Sequence, residues 1–209
     1  KSISIRCVLM ASQAIGLSKI YNLLESEDVM NALKAIRKLG IKYRKRENYI
    51  EIQGFGLNGY LTKKKIEIDA GNSGTLARLI LGLLVNVDNY VTITGDKSLR
   101  KRDFSRVTRP LLNFGVNINS KDNKLPVKII GSKYLRPINY YEKLGSAQCK
   151  SAVMLASLKA PGTTKIKAKK SRDHTEVMCR YLNLPINIKK NKNYDLITVK
   201  KVNKIKCLN

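Results

Sequence analysis

A chain of 209 residues with 43% hydrophobic content has enough apolar material for a sizeable core, which excludes a disordered tail. It contains no run of 18 apolar residues and opens on no signal-peptide pattern, so a soluble, cytoplasmic protein with no membrane partner is expected. The formal charge of +26 points toward polyanions, but the lysines are spread through every segment and only three Phe, ten Tyr and no Trp are available for stacking; nucleic acid is not the expected main partner.

In chain order, residues 2–14 read as a small-residue helix in apolar periodicity through Ile5, Val8 and Leu9. That periodicity begins at once and no initiator Met precedes it, so a segment upstream of Lys1 is expected. A turn at Gly16, a short strand over 18–22, a second helix over 27–39 and a hairpin pairing 41–44 with 49–53 follow. The order then recurs with an added leading strand: strand 66–69, helix 73–85, a turn at Asp88, strand 90–94, helix 103–114, and a hairpin of 116–119 with 126–130. It recurs again as strand 137–141, helix 146–158, a turn at Gly162, strand 163–168, helix 173–182, and a hairpin of 186–189 with 196–199. Equivalent helix ends at Gly40, Gly115 and Pro185 lie 75 and 70 residues apart, marking three copies of one βαβαββ unit whose first copy lacks its leading strand. The copies are bounded at about 1–56, 57–132 and 133–201. Ser26-Glu27-Asp28, Arg102-Asp103 and Ser171-Arg172-Asp173 are expected to cap the second helices, a side-chain oxygen satisfying free N–H groups.

The first helix of each copy is too apolar to face water all round, as Leu76, Leu79, Ile80, Leu83 and Leu84 show in the second. The expected fold class is therefore α/β (α+β): a pseudo-threefold lobe with three parallel helices at the centre and mixed sheets outside. Parallel helices bring their N-termini to one face, where unpaired N–H groups and the dipole ends favour anions. Lys1, Ser2 and Arg6 start the first of these helices, and Asn72-Ser73-Gly74-Thr75 with Arg78 the second. Ser146-Ala147-Gln148 with Lys150 starts the third. Arg100-Lys101-Arg102 and Ser171-Arg172-Asp173-His174 lie at the starts of the second helices. Arginine forks beside hydroxyls and amides fit two anionic groups bound side by side. Cys7, Cys149, Cys179 and Cys207 include no Cys-x-x-Cys pair, which argues for thiols and against zinc or disulfides.

Five ordered blocks carry a family resemblance: Lys1-Ser2-Ile3-Ser4-x-Arg6, Gly71-Asn72-Ser73-Gly74-Thr75-x-x-Arg78, Thr94-Gly95-Asp96-x-Ser98-Leu99-x-x-Arg102, Ser146-Ala147-Gln148-x-Lys150-Ser151-Ala152 and Ser171-Arg172-Asp173-His174-Thr175-Glu176. Together they resemble the signature blocks of the 5-enolpyruvylshikimate-3-phosphate (EPSP) synthases, over the N-terminal lobe of that two-lobed fold. The resemblance implies transfer of an enolpyruvyl group from phosphoenolpyruvate to shikimate 3-phosphate, with no metal and no organic cofactor, by a protein that is a monomer at full length. It implies that Lys1 is catalytic and touches both substrates. Ser2, Arg6, Ser146, Ala147, Gln148, Ser171 and Arg172 would join it on shikimate 3-phosphate; Asn72, Gly74, Thr75, Arg102 and Gln148 would join it on phosphoenolpyruvate.

Ile5 stands where the family often has His, and Asp103 where Pro often follows the arginine; neither change removes an anion-binding group. The family's proton-transfer carboxylates come from the second lobe, so this chain is expected to be a single lobe, inactive by itself. Two rival readings are weighed. UDP-N-acetylglucosamine 1-carboxyvinyltransferase has similar chemistry, but typically carries Asn after the leading Lys and a loop cysteine in the second unit; here Ser2 follows Lys1 and no cysteine lies between Cys7 and Cys149. An RNA-binding or RNA 3′-end-processing protein would share the βαβαββ architecture and use the positive charge.

Overall fold

The computed structural model describes residues 1–62 and 65–208. Its first group of elements is α1 (Ser2–Gln13), β1 (Ile15–Tyr21), α2 (Glu27–Lys38), β2 (Lys42–Lys45) and β3 (Tyr49–Phe55). The second is β4 (Ile66–Asp69), α3 (Gly74–Leu83), β5 (Val91–Thr94), α4 (Lys97–Arg100), α5 (Ser105–Leu112), β6 (Asn117–Ser120) and β7 (Val127–Ile130). The third is β8 (Asn139–Glu142), α6 (Ala147–Ser157), β9 (Thr163–Lys169), α7 (His174–Tyr181), β10 (Ile186–Lys190) and β11 (Tyr194–Lys200). The second and third sheets have matching strand orders, β4-β5-β7-β6 and β8-β9-β11-β10, each with one parallel pair at the leading strand and antiparallel pairs beyond.

Among the described residues, the first sheet has the order β1-β3-β2, without a counterpart from its own copy to β4 or β8. Residues 205–208 take that place. Ile15 N–H donates to the Ile205 carbonyl at 2.9 Å, Lys19 N–H to the Leu208 carbonyl at 2.8 Å, and the bridge between Ile15 and Lys206 is parallel, as β4 is to β5. Ile205 and Leu208 are buried there, so a segment remote in sequence completes the first sheet and covers the open edge of β1.

The core lies between these sheets, around α1, α3 and α6. Eight of the ten residues of α3 are buried, as are Cys149 through Ser157 of α6, which is the burial of helices with no solvent face. At their starts, Gln148 of α6 bonds Thr75 of α3; at their ends, Lys159 just beyond α6 bonds the Leu83 carbonyl of α3. The two helices therefore run the same way, with their N-termini on one face.

Two local expectations are corrected. Among the described residues, Ser26 and Asp173 make no side-chain cap hydrogen bonds and Ser26 Oγ is buried without a partner, while Asp173 lies 4.0 Å from Lys190 Nζ. The first turn of α2 instead carries Glu27 and Asp28, which favour the helix N-terminus by charge. Asp103 does accept from the Ser105 N–H at 2.7 Å, but the segment ahead of it contains the unforeseen α4, capped by Asp96, and α5 starts only at Ser105.

At the far pole, Lys159 donates to the Leu83 carbonyl at 2.5 Å and to Asn86 Oδ1 at 2.7 Å, satisfying acceptors at the end of α3. Burial pushes its ammonium down to about 7 even so. Between that value and the unfolded lysine value near 10.4, the unfolded chain binds the extra proton, so stability rises with pH across this window. The destabilisation is present in full below pH 7. Urea midpoints at pH 7 and 9.5 should therefore show Lys159→Met lacking a rise that the parent chain has, of up to about 1.4 kcal/mol per pH unit. Cys179, which burial pushes up to about 12, titrates in both proteins and cancels from the comparison.

Candidate functional site

The starts of α1, α3 and α6 meet at one rim, and a sequence of contacts runs around it. Gln148 at the start of α6 bridges to α3, donating through Nε2 to Thr75 Oγ1 at 2.9 Å and accepting from Arg78 Nη1 at 3.1 Å. Arg78 Nη1 also donates to the Gly74 carbonyl at 3.2 Å, and its guanidinium lies 4.6 Å from the Phe104 ring centroid. Arg102 Nη2 reaches Asn72 Oδ1 at 3.4 Å, while Asn72 Nδ2 donates to Asp96 at 2.6 Å. A Cβ placed on Gly74 would sit 2.7 Å from Arg78 Nη1 and 3.3 Å from Arg102 Nη1, so both guanidinium groups converge on the bare backbone there.

From this turn the rim continues to α2. Gly71 has φ +56°, a left-handed conformation natural to glycine, and a Cβ on it would run into Asn31 Nδ2. Asp28, on the same first turns of α2, pairs with Lys1 Nζ at 3.2 Å; the Lys1 side chain remains 57% exposed. The Ser2 carbonyl accepts from Arg6 Nη1 at 2.9 Å. Arg6, only 4% exposed, then closes the ring: Nη2 donates to Ser151 Oγ of α6 at 3.0 Å and Nε to Thr175 Oγ1 of α7 at 2.7 Å. Lys1, Gly74 and Gln148 are thus linked through neighbouring residues around one edge.

Ser146 serves α6 directly: its Oγ accepts from the Cys149 N–H and its own N–H donates to Glu142. The Ala147 carbonyl accepts from Ser151 Oγ at 2.6 Å. The Ser146 carbonyl accepts from the Lys150 N–H, and among the described residues no side-chain hydrogen bond joins Ser146 or Ser171 to another residue named above for a substrate. Ser171 Oγ is buried with no hydrogen-bond partner among the described residues, an unmet polar group of the kind a bound ligand satisfies. The exposed Arg172 is close enough to act electrostatically on Arg6 and His174. Burial, then the Arg6 and Arg172 charges, hold the His174 imidazole below its usual value and so neutral at pH 7. Burial likewise lowers Arg6, partly offset by the Glu176 carboxylate.

Lys150 does not add a charge to the rim. It is buried and paired with Glu176 at 2.5 Å, so its ammonium faces inward. Thr175 and Ser151 were not singled out by the sequence as holding Arg6; their signal was a hydroxyl within the first turns of two separate blocks. Arg78 joins two helices across 70 residues of sequence, which only superposing the repeats could have suggested. No cluster of His, Cys, Asp and Glu suited to a metal occurs among the described residues, and no helix among them is long and apolar enough to cross a membrane.

Residues 1–207 match the family model for EPSP synthase (3-phosphoshikimate 1-carboxyvinyltransferase). The chain is 43% identical over 193 residues to the 3-phosphoshikimate 1-carboxyvinyltransferase of Vesicomyosocius okutanii, covering 92% of this chain and 44% of that protein. It is also 43% identical over 183 residues to the enzyme of the same name from Streptococcus mutans, covering 86% and 43%. The solved EPSP synthase of Acinetobacter baumannii superposes with a TM-score of 0.90 at 32% identity, covering 100% of this chain and 47% of that one. The chain thus spans about half the length of the curated relatives it matches. With the blocks gathered on one rim and the family model matched across nearly every residue, the chain belongs to the EPSP synthase family.

Proposed function

We propose that this chain supplies the substrate-clamping half of a 3-phosphoshikimate 1-carboxyvinyltransferase. In that reaction the 5-hydroxyl of shikimate 3-phosphate adds to C2 of phosphoenolpyruvate, and inorganic phosphate leaves to give the enol ether. The observation that carries the reading is the closed ring of contacts bringing Lys1, Arg6, Arg78 and Arg102 to three helix starts. Lys1 is assigned to both substrates as the catalytic cation. Ser2, Arg6, Ser146, Ala147, Gln148, Ser171 and Arg172 are assigned to shikimate 3-phosphate, with the unpartnered Ser171 hydroxyl as a donor to its phosphate. Asn72, Gly74, Thr75, Arg102 and Gln148 are assigned to phosphoenolpyruvate, whose anionic groups would sit where the two guanidinium groups face the glycine backbone.

Such a rim acts by positioning two anions and by stabilising negative charge as it develops. Of the carboxylates along it, Asp28 pairs with Lys1, Asp96 accepts from Asn72 and the Leu99 N–H, and Asp69 accepts from the Gly71 N–H, so these three are assigned to holding the rim and not to proton transfer. The chain alone is expected to bind without turning over, and the full-length protein to act as a monomer in the cytoplasm.

Calorimetric titration of shikimate 3-phosphate into the chain tests this. Saturable binding is expected, with affinity for phosphoenolpyruvate rising once the first ligand is bound, because each anion completes the other's surroundings. A flat isotherm with shikimate 3-phosphate on a folded chain would refute the assignment.

A further inference from the structure

We propose that Lys150 is a positioning residue: it holds the Glu176 carboxylate away from Arg6 and so keeps the Arg6 guanidinium available to a substrate anion. This deepens the reading above and rests on it. The pair lies directly beneath the ring. Lys150 and Ser151 are consecutive on α6, as Thr175 and Glu176 are on α7, and the two helices are joined twice, by the ion pair and by the Thr175 hydroxyl donating to Ser151 Oγ at 2.6 Å. Arg6 is bonded to both of those hydroxyls. Its guanidinium has five N–H donors. The hydrogen bonds to Ser2, Ser151 and Thr175 engage one each at Nη1, Nη2 and Nε, leaving the rest for an anion.

The hazard in this arrangement is Glu176 itself. Its side chain is 3% exposed, and Oε2 is buried with no hydrogen-bond partner among the described residues. A buried carboxylate with an unmet oxygen seeks the nearest cation. It directly follows Thr175, whose hydroxyl Arg6 already grips, and its charge is felt at Arg6. Lys150, 1% exposed, pairs with Oε1 at 2.5 Å and neutralises that carboxylate from α6. For the fold alone, an apolar pair of similar volume would serve as well, because burying both charges offsets their attraction. The ion pair has a use at the site: it adds no net charge near Arg6 while fixing where the first turn of α7, and with it Thr175, stands against α6.

The consequence is a pattern among variants that a plain structural brace would not give. Without Lys150, Glu176 is free to turn to Arg6 and compete with the ligand; removing the carboxylate as well should restore binding. Shikimate 3-phosphate affinity is measured by calorimetry for the parent chain, Lys150→Met, Glu176→Gln and the double variant, with thermal unfolding to verify folding. Lys150→Met should weaken binding by about tenfold or more, and Lys150→Met/Glu176→Gln should return it to within about threefold of the parent, as should Glu176→Gln alone. If Lys150→Met does not fold, Lys150→Gln, which can still donate to the carboxylate, takes its place against the double variant. A double variant no better than the single one, or a folded Lys150→Met with parental affinity, overturns the proposal. A flat isotherm for the parent chain instead refutes the assignment of the substrate. The Arg6 Nε–H resonance then decides the inference without ligand: it should move on Lys150→Met and return in the double variant, and a resonance unmoved by Lys150→Met overturns it.

Discussion

Replacing Arg6 with alanine should weaken shikimate 3-phosphate binding by about a hundredfold or more while leaving the chain folded. A buried charged group that is hydrogen-bonded to its partner is worth about 2–5 kcal/mol when truncated, which corresponds to about thirtyfold to several thousandfold in affinity. Arg6 meets the conditions for the larger part of that range. It is nearly excluded from water, and its fork is fixed before any ligand arrives by acceptors on α1, α6 and α7. The fold should tolerate its loss, because Thr175 and Ser151 remain bonded to each other and Ser151 to the Ala147 carbonyl. Arg6→Lys supplies the control: it keeps a charge but loses the planar fork, so an intermediate loss of about tenfold is expected. Calorimetry with shikimate 3-phosphate reads both, and an affinity unchanged in folded Arg6→Ala would remove Arg6 from the site.

The architecture was legible in the sequence because each copy repeats the same order of apolar helix, strand, second helix and hairpin. The strand at 66–69 was placed to the residue. What escaped was decided by contacts across the chain. β1 begins at Ile15 and not at residue 18, because Gly16 lies within the strand opposite Gly54; a Cβ on Gly54 would run into the carbonyls of Ala11 and Ala14, so β3 packs on the end of α1. The segment completing the first sheet, 205–208, is too short and too polar in its flanks to announce a strand. At the site, the blocks named the rim's residues but not how they are joined. Lys150 and Glu176 are charged residues that a reading by polarity sends to the surface, yet each neutralises the other in the interior. Arg78 stands near the start of α3, and its contact with Gln148, 70 positions away, joins two repeats in a way that no local pattern shows.

A leucine at position 82 should prevent the chain from reaching its native packing, and even alanine should lower its stability measurably. α3 and α6 lie so close at this point that a Cβ on Gly82 would run into the Ala152 carbonyl oxygen and stand 2.9 Å from its carbon and 3.0 Å from Ala152 Cα. The obstacle is backbone, so no side chain can swing aside; the helices must part. Both are core on nearly every face, and parting them opens gaps along the interface while pulling at the Gln148 contacts to Thr75 and Arg78. Overpacking of this kind costs about 1–3 kcal/mol for a single methyl group and more for a larger side chain. Against it, alanine gains about 1 kcal/mol over glycine in helix propensity. For Gly82→Ala the two sum to a net loss of up to about 2 kcal/mol, a fall in melting temperature of up to about 8 °C for a chain of this size. For Gly82→Leu the propensity gain is no larger and the clash far greater. The mechanism carries its own control. Because a carbonyl and not the alanine methyl stands in the way, adding Ala152→Gly to Gly82→Ala should recover nothing, and a double variant that melts at the parental temperature would show that the approach of these two backbones does not limit the fold.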